Sequence, residues 1–272
     1  MGKKQREESG MDQNEAVRYE ARGSVAWITM DQPQSMNSLT KEISLGLEAA
    51  IAKAEADPAV RAVVLTGSGK AFCAGGDLRA IGSCADVVET EAYMRGAGVA
   101  PTAIFHSKKP YIAAVNGAAA GAGFNLAITC DFVLASSKAK FTQAFSSVGL
   151  MSDCGGNFLL PRLVGPQKAK ELMMLPLTIT AQEAKDLGIV SRVVEPEQLE
   201  AEAEALAASL AERPPLALAQ IKRFVNESMQ FDFDTMRTRE EKMQGILAAG
   251  EDAKEGIAAF FEKRQPVFKG NS

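Results

Sequence analysis

The sequence predicts an α/β fold: a largely parallel sheet with both faces covered, followed by a helical C-terminal region. Three observations predict it. Apolar runs at 60–65, 111–115 and 131–136 are near-continuous, the pattern of strands buried on both sides. Strand-like runs alternate with loops and helical periodicities, which is the order of parallel α/β units. After Glu195-Pro196 the strand pattern ends, and an alanine- and glutamate-rich texture at helical spacing takes over.

The elements follow in order. Residues 17–22 and 24–30 read as strands around an Arg22-Gly23-Ser24 turn. Residues 41–56 carry Ile43, Leu47, Ala50, Ile51 and Ala54 at helical spacing, closed by Asp57-Pro58. Gly46 interrupts that pattern with a poor helix former. The strand at 60–65 feeds Thr66-Gly67-Ser68-Gly69 and a glycine-rich segment, Ala71-Phe72-Cys73-Ala74-Gly75-Gly76-Asp77-Leu78. Residues 86–106 look largely helical. The strand at 111–115 leads into a second glycine-rich segment, Asn116-Gly117-Ala118-Ala119-Ala120-Gly121-Ala122-Gly123, and then into a helix at 124–129. A strand at 131–136 follows, then a helical stretch at 158–164. Thr180-Ala181-Gln182-Glu183 is a capping box opening a helix that stops at Gly188, before a last strand at 189–194. Residues 197–213, 216–227, 232–248 and 253–264 are amphipathic helices with no core of their own. The natural boundary lies near 197, and such helices pack on their own or a neighbouring subunit. No residue-level repeat accompanies the repeated order of elements.

Composition narrows the class. The 272 residues suit one sizeable domain, or a domain with an appendage, and 46% hydrophobic with 24% charged residues is ordinary for a soluble globular protein. A net charge of −4 argues against a nucleic-acid partner. No apolar run reaches the ~20 residues of a membrane span, so no membrane partner is expected. The first ten residues are charged and lack the apolar core of a secretory signal. Four cysteines without a C-x-x-C pair, and a single histidine, argue against a zinc site and fit reduced thiols in a cytoplasm.

Few side chains offer chemistry. The sole imidazole, His106, precedes Ser107-Lys108-Lys109-Pro110, and a Ser-His-Asp triad is poorly supported. Cys73 reads as a small packing residue. Asp86, Glu89 and Glu91 read as a solvated helix face. The two glycine-rich segments either form tight turns or aim two backbone N–H donors at one oxygen, the geometry of an oxyanion hole. Asp153, in Gly149-Leu150-Met151-Ser152-Asp153-Cys154-Gly155-Gly156-Asn157, is either the cap of the following helix or a functional carboxylate facing those segments.

Ala71 to Leu78, Tyr111 to Leu126, Phe141 to Gly165 and the ending Ala259-Phe260-Phe261-Glu262-Lys263-Arg264 resemble the enoyl-CoA hydratase/isomerase (crotonase) superfamily. Asp31-Gln32-Pro33 through Asn37-Ser38-Leu39 fits as well, so the likeness runs from about residue 15 to the C-terminus. The resemblance implies a spiral of ββα turns over 12–196, binding and transforming a CoA thioester. It implies a helical oligomerisation region over 197–272 that completes the CoA site, in a homotrimer or dimer of trimers. The partner it implies is an acyl-CoA thioester, with no cofactor beyond the CoA of the substrate. By the same resemblance, the backbone N–H groups of Gly76 and Ala122 form the oxyanion hole. Ala74, Asp77 and Leu78 lie against the CoA adenine, and Phe145 lies in the substrate site. Phe260 and Lys263 reach a neighbouring subunit's CoA, Lys263 as a point charge for a phosphate.

The departures choose the reaction. Hydratases of the family hold water with two glutamates, and the matching positions here are Asn125 and Phe145, neither of which takes a proton. Asp153 falls where some family isomerases carry their acid. The resemblance therefore implies an enoyl-CoA isomerase with Asp153 as single acid/base, its pKa raised by an apolar wall of Phe145, Leu150 and Met151. The segment from Phe141 to Gly165 looks closest to the phenylacetate-pathway branch, whose members isomerise a ring-epoxide CoA thioester. Three alternatives remain open at this level: a hydratase that orients water unconventionally, an Asp153 nucleophile, and a non-catalytic acyl-CoA-binding protein. The nucleophile version lacks the indole such relatives place nearby, since Trp27 lies far upstream. An RNA-binding version lacks the basic comb on residues 41–56.

Overall fold

The computed structural model describes residues 16–270. The charged first decade and residues 12–15 of the expected core lie outside the described residues. Two sheets carry the fold. The larger has six strands in the order β1-β2-β3-β5-β7-β10: β1 (Val17–Arg22), β2 (Val25–Met30), β3 (Ala62–Gly67), β5 (Tyr111–Val115), β7 (Phe132–Ser136) and β10 (Arg192–Val194). Only the β1–β2 hairpin is antiparallel; the other neighbours run parallel. The smaller sheet orders β4 (Ala71–Cys73), β6 (Ala118–Ala120), β8 (Lys140–Thr142) and β9 (Thr178–Thr180), parallel except for β8–β9.

The chain visits the sheets in pairs, β3 then β4, β5 then β6, β7 then β8, with helices after each pair. Each turn of this spiral lifts one three-residue strand out of a loop. Two of those strands lie inside the glycine-rich segments, where the sequence signals turns and no strand. Three residues carry too little alternation to read as a strand, so the second sheet was invisible to periodicity.

The helices follow their apolar spacing. The expected helix at 41–56 is α1 (Lys41–Ala56), capped by Thr40, whose side chain accepts from the Ile43 amide at 3.2 Å. It buries Ile43, Leu47, Ala50, Ile51, Ala54 and also Gly46. Next come α2 (Leu78–Ser83), which the sequence did not announce, and α3 (Val87–His106), capped by Asp86. All eight residues of α4 (Ala122–Thr129) are buried, so this short helix sits inside the protein, and its two polar residues, Asn125 and Thr129, are hydrogen-bonded there. After β8 come α5 (Gly156–Val164) and α6 (Pro166–Met174). The capping box opens α7 (Ala181–Asp186) as expected.

The C-terminal region comprises α8 (Leu199–Ala211), α9 (Pro215–Glu227), α10 (Phe233–Ala249) and α11 (Glu251–Glu262). The first of these is no free appendage. Leu199, Ala203, Ala207 and Ala211 of α8 pack on Val25, Trp27, Val64, Ile112 and Leu134, closing the second face of the large sheet. The Trp27 indole also donates to Glu204 at 2.5 Å. In contrast α10 has no buried residue, and Phe233, Phe260 and Phe261 are more than three-quarters exposed. No helix of the described residues is long and apolar enough to cross a membrane.

Candidate active site

The spiral brings both glycine-rich segments to one cavity. It is lined by Ala74, Gly75, Gly76 and Leu78 from the first segment, and by Gly121 and Ala122 from the second. Phe145, Val148, Leu150 and Asp153 close it from the β8–α5 side, while Ile81, Tyr93, Met94 and Ala97 close it from α2 and α3.

Small residues let the two segments meet. Gly75 has φ +98°, and a methyl group on it would fall 2.7 Å from the Ala120 carbonyl oxygen and 3.4 Å from the Ala122 nitrogen. Gly123 lies hard against β4, where a Cβ would come within 2.1 Å of the Cys73 oxygen. Ala122 opens α4, so its N–H is one of those an α-helix leaves without an internal acceptor. Gly76 bridges to Leu39, whose amide donates to the Gly75 carbonyl at 2.7 Å. Asn37, fully buried with φ +55°, steadies this corner by donating to the Ser68 and Ala71 carbonyls at 3.0 and 2.8 Å.

Asp153 lines the same cavity as Gly76 and Ala122. It is not the helix cap: α5 is capped by Gly155, in left-handed conformation and without a side-chain bond. The Asp153 Oδ1 is buried and has no hydrogen-bond partner among the described residues. Burial pushes its carboxyl above the ordinary range, with hydrogen bonds from the Cys154 side chain and its own backbone pulling part of the way back. Phe145 lays its ring over Gly121, where a Cβ would meet ring carbons at 3.6 Å. Leu150 also lines the cavity. Met151 does not: it is 74% exposed and lies off the cavity wall, so the expected apolar wall loses this member.

Asn125 is fully buried on α4 and is absent from the cavity wall. Its amide reaches sideways to the Asp153 loop. Asp77 also stays off the wall; its carboxylate caps α2 by accepting from the Arg79 and Ala80 amides at 3.0 and 3.4 Å. Phe260 lies on α11 and Lys263 caps it with φ +56°; neither lines this cavity. His106 stacks edge-on to Phe105 at the end of α3, off the cavity wall. Cys73 is completely buried, its thiol pushed up to about 12 by burial. Asp86 and Glu89 bond within the α3 cap and Glu91 pairs with Arg95, the solvated face expected of them.

Tyr93 was not anticipated. Its hydroxyl accepts from the Asp77 amide at 2.8 Å and donates to the Leu39 carbonyl at 2.9 Å, tying the Gly76 turn to α3 at the cavity wall. Nothing near Tyr93 in the chain signals this, since both partners are main-chain groups far away in sequence. Gln143 and Ser152 carry no local signal either, since their bonds to the Asn125 side chain span 18 and 27 residues.

Residues 20–271 match the family model for enoyl-CoA hydratase/isomerase. The chain belongs to the enoyl-CoA hydratase/isomerase family. Crotonyl-CoA hydratase of Syntrophomonas wolfei is 38% identical over 255 residues, covering 93% of this chain and 98% of that one. The 1,2-epoxyphenylacetyl-CoA isomerase of Escherichia coli is 37% identical over 256 residues, covering 90% and 95%. Among solved structures, an enoyl-CoA hydratase from Polaromonas sp. JS666 superposes with a TM-score of 0.89 at 37% identity, covering 93% and 99%. The spiral described above is the crotonase fold of this enzyme family. Relatives of near-equal identity are named for hydration and for isomerisation, so the reaction has to be argued from the carboxylates of this family member.

Proposed function

We infer that the protein is an enoyl-CoA isomerase, with Asp153 as its single acid/base and the Gly76 and Ala122 amides as its oxyanion hole. One observation carries this reading: among the described residues lining the cavity, Asp153 is the sole carboxylate. The two positions that resemble the water-holding glutamates of hydratases are an amide turned into a neighbouring loop and a phenyl ring packed on glycine.

The chemistry needs one carboxylate. With the thioester oxygen between the two amides, Asp153 takes a proton from one carbon of the acyl chain. The electron pair moves onto the thioester oxygen as an enolate, stabilised by donors already in place. The same carboxyl returns the proton two carbons away, and the double bond has moved. The apolar rim of Phe145, Val148 and Leu150 keeps water from competing for the enolate. A ring-epoxide CoA thioester is a second substrate of the same reading, supported by the likeness to the Escherichia coli isomerase. The CoA of the substrate is the only coenzyme this scheme calls for. A cytoplasmic location remains part of the proposal, resting on cysteine usage.

Conversion of 3-enoyl-CoA to 2-enoyl-CoA, set against hydration of crotonyl-CoA, tests the reading. Hydration faster than isomerisation would sink it. The pH profile gives a second check. Asp153 must be ionised to take the first proton and its pKa is raised, so kcat/KM is expected to fall on the acid side at a pH above the ordinary carboxylate range. A fall-off near the ordinary 3.8 would contradict the burial argument.

Close packing of the oxyanion segments is testable as well. Gly123→Ala forces a methyl group into the Cys73 carbonyl and separates α4 from β4. A shift of about 1 Å between the donors is expected to lower kcat by about 10²-fold. Overpacking of about 1–3 kcal/mol accompanies it, read by thermal unfolding.

A homotrimer or dimer of trimers is part of the same proposal, supported by the exposed phenylalanines of α10 and α11. Phe260 and Lys263 would then meet CoA across that interface. Sedimentation equilibrium showing a monomer at micromolar concentration would refute it.

A further inference from the structure

Asn125, Gln143 and Ser152 form a closed ring of neutral hydrogen bonds beneath the catalytic loop. All three are buried, at 0%, 1% and 6% exposure. The Asn125 Nδ2 donates to the Ser152 Oγ at 3.0 Å and to the Asp153 carbonyl at 2.9 Å. The Gln143 Nε2 donates to the Asn125 Oδ1 at 2.7 Å, and the Ser152 Oγ donates to the Gln143 Oε1 at 3.3 Å. A carbonyl can only accept, so the Asp153 oxygen fixes which end of the Asn125 amide faces it, and the orientation of Gln143 follows.

The ring holds Asp153 by its backbone and leaves the carboxyl unbonded by it. Asn125 also lies against the start of α5, where a Cβ on Gly156 would come within 2.3 Å of its Nδ2. Between these two anchors the chain turns through Cys154 at φ +47° and Gly155 at φ +81°. A non-glycine residue holds such a conformation when its surroundings over-determine it.

We propose that Asn125, through the Gln143–Ser152 ring and its bond to the Asp153 carbonyl, is the positioning residue that aims the Asp153 carboxyl into the cavity. This rests on the reading of Asp153 as acid/base. A base in a reaction without bound water has to reach two carbons in turn, so one of its carboxyl oxygens must stay free of permanent partners, as Oδ1 is among the described residues. Fixing the loop by its backbone meets that need; a bond from the ring to Oδ1 would not. A neutral amide ring also adds no second titrating group beside Asp153.

The test is a cycle of Asn125→Ala, Ser152→Ala and Asp153→Asn, with each of the first two also made on Asp153→Asn. Isomerisation of 3-enoyl-CoA is followed across pH, with thermal unfolding as the folding control. Asn125→Ala is expected to lose about 10²-fold in kcat, with KM within about threefold of the parent. Its acid limb is expected to move to lower pH, because a loosened loop lets the carboxyl into water. Ser152→Ala keeps the Asp153 carbonyl bond and is expected to show the same changes at about fivefold in kcat. On the Asp153→Asn background either change is expected to cost less than about twofold, since the group being aimed is gone. Losses that multiply on that background, or a lower kcat with an unmoved acid limb, overturn the proposal in favour of a merely structural ring. Should Asn125→Ala fail to fold, Ser152→Ala decides by the same two criteria. Undiminished isomerisation in Asp153→Asn alone overturns the acid/base reading, a different failure with its own signature.

Discussion

Replacing Asp153 by asparagine is expected to reduce isomerisation of 3-enoyl-CoA by about 10²–10⁴-fold in kcat, the range that a positioned acid/base contributes. KM should change little, because in the proposed reaction the carboxyl meets the reacting carbons while the CoA portion binds elsewhere. The amide keeps the size of the side chain and removes only the proton transfer. The Gly76 and Ala122 amides, the proposed oxyanion donors, remain, so enolate stabilisation should persist and some residual activity should survive.

The same substitution carries an opposite prediction for stability. Burial raises the folded-state pKa of Asp153 above its ordinary 3.8. The folded protein therefore holds this proton more tightly than the unfolded chain does. Stability falls as pH rises from the ordinary carboxylate range through the raised value, and the loss persists above it. Asparagine has no such loss. Asp153→Asn should melt above the parent at pH 7, and the gap should close as pH drops below the ordinary carboxylate range. An active site that holds an unpaired buried carboxylate at a cost to stability has to show this trade; a melting point below the parent at neutral pH would contradict it.

The second large effect lies far from the cavity. Lys222 of α9 reaches between β5 and β7 and pairs with Asp131 at 2.8 Å, with side chains 6% and 19% exposed. Its ammonium also donates to the Lys109 carbonyl at 3.2 Å and sits 5.2 Å from the Tyr111 ring centroid. Asp131 accepts in addition from the Tyr111 amide at 2.8 Å. Burial pushes the Asp131 carboxyl up, and Lys222 pulls it back part of the way. Lys222→Met leaves that carboxylate buried and unpaired, so it should destabilise by about 3–5 kcal/mol. The melting point should drop by about 10 °C. Adding Asp131→Asn removes the stranded charge and keeps an acceptor for Tyr111. The double variant should recover most of the loss, since neutral replacement of a buried pair is often tolerated. Differential scanning calorimetry of the parent and the two variants checks this, and a double variant no better than the single one would refute the buried-charge argument.

Legibility varied with the physics of each feature. The helix at 41–56 and the strand at 111–115 were readable to the residue, because each has one face or both faces buried and the apolar spacing records it. The four strands of the small sheet were not, since three residues pinned by their neighbours carry no period. On its local sequence Asp153 read equally well as a helix cap, and the resemblance singled it out as an acid/base; the structure shows that it does not cap α5 and that it lines the cavity. Met151 was misplaced in the wall because, in a loop without a period, apolar character alone does not say which neighbours face the cavity. Tyr93, Gln143 and Ser152 act through partners that no sequence spacing connects.

By itself, then, the sequence determined the order and type of the long elements, the family and the inventory of groups able to move a proton. These are properties of residue identity and of burial along single elements. Only the tertiary structure decided that two glycine-rich segments and one aspartate share a cavity, and that Asn125 serves the aspartate's loop while Phe145 covers glycine. Convergence of that kind depends on how successive crossovers stack. Glycine–backbone contacts shorter than a methyl group allows set that stacking, and no local pattern encodes them.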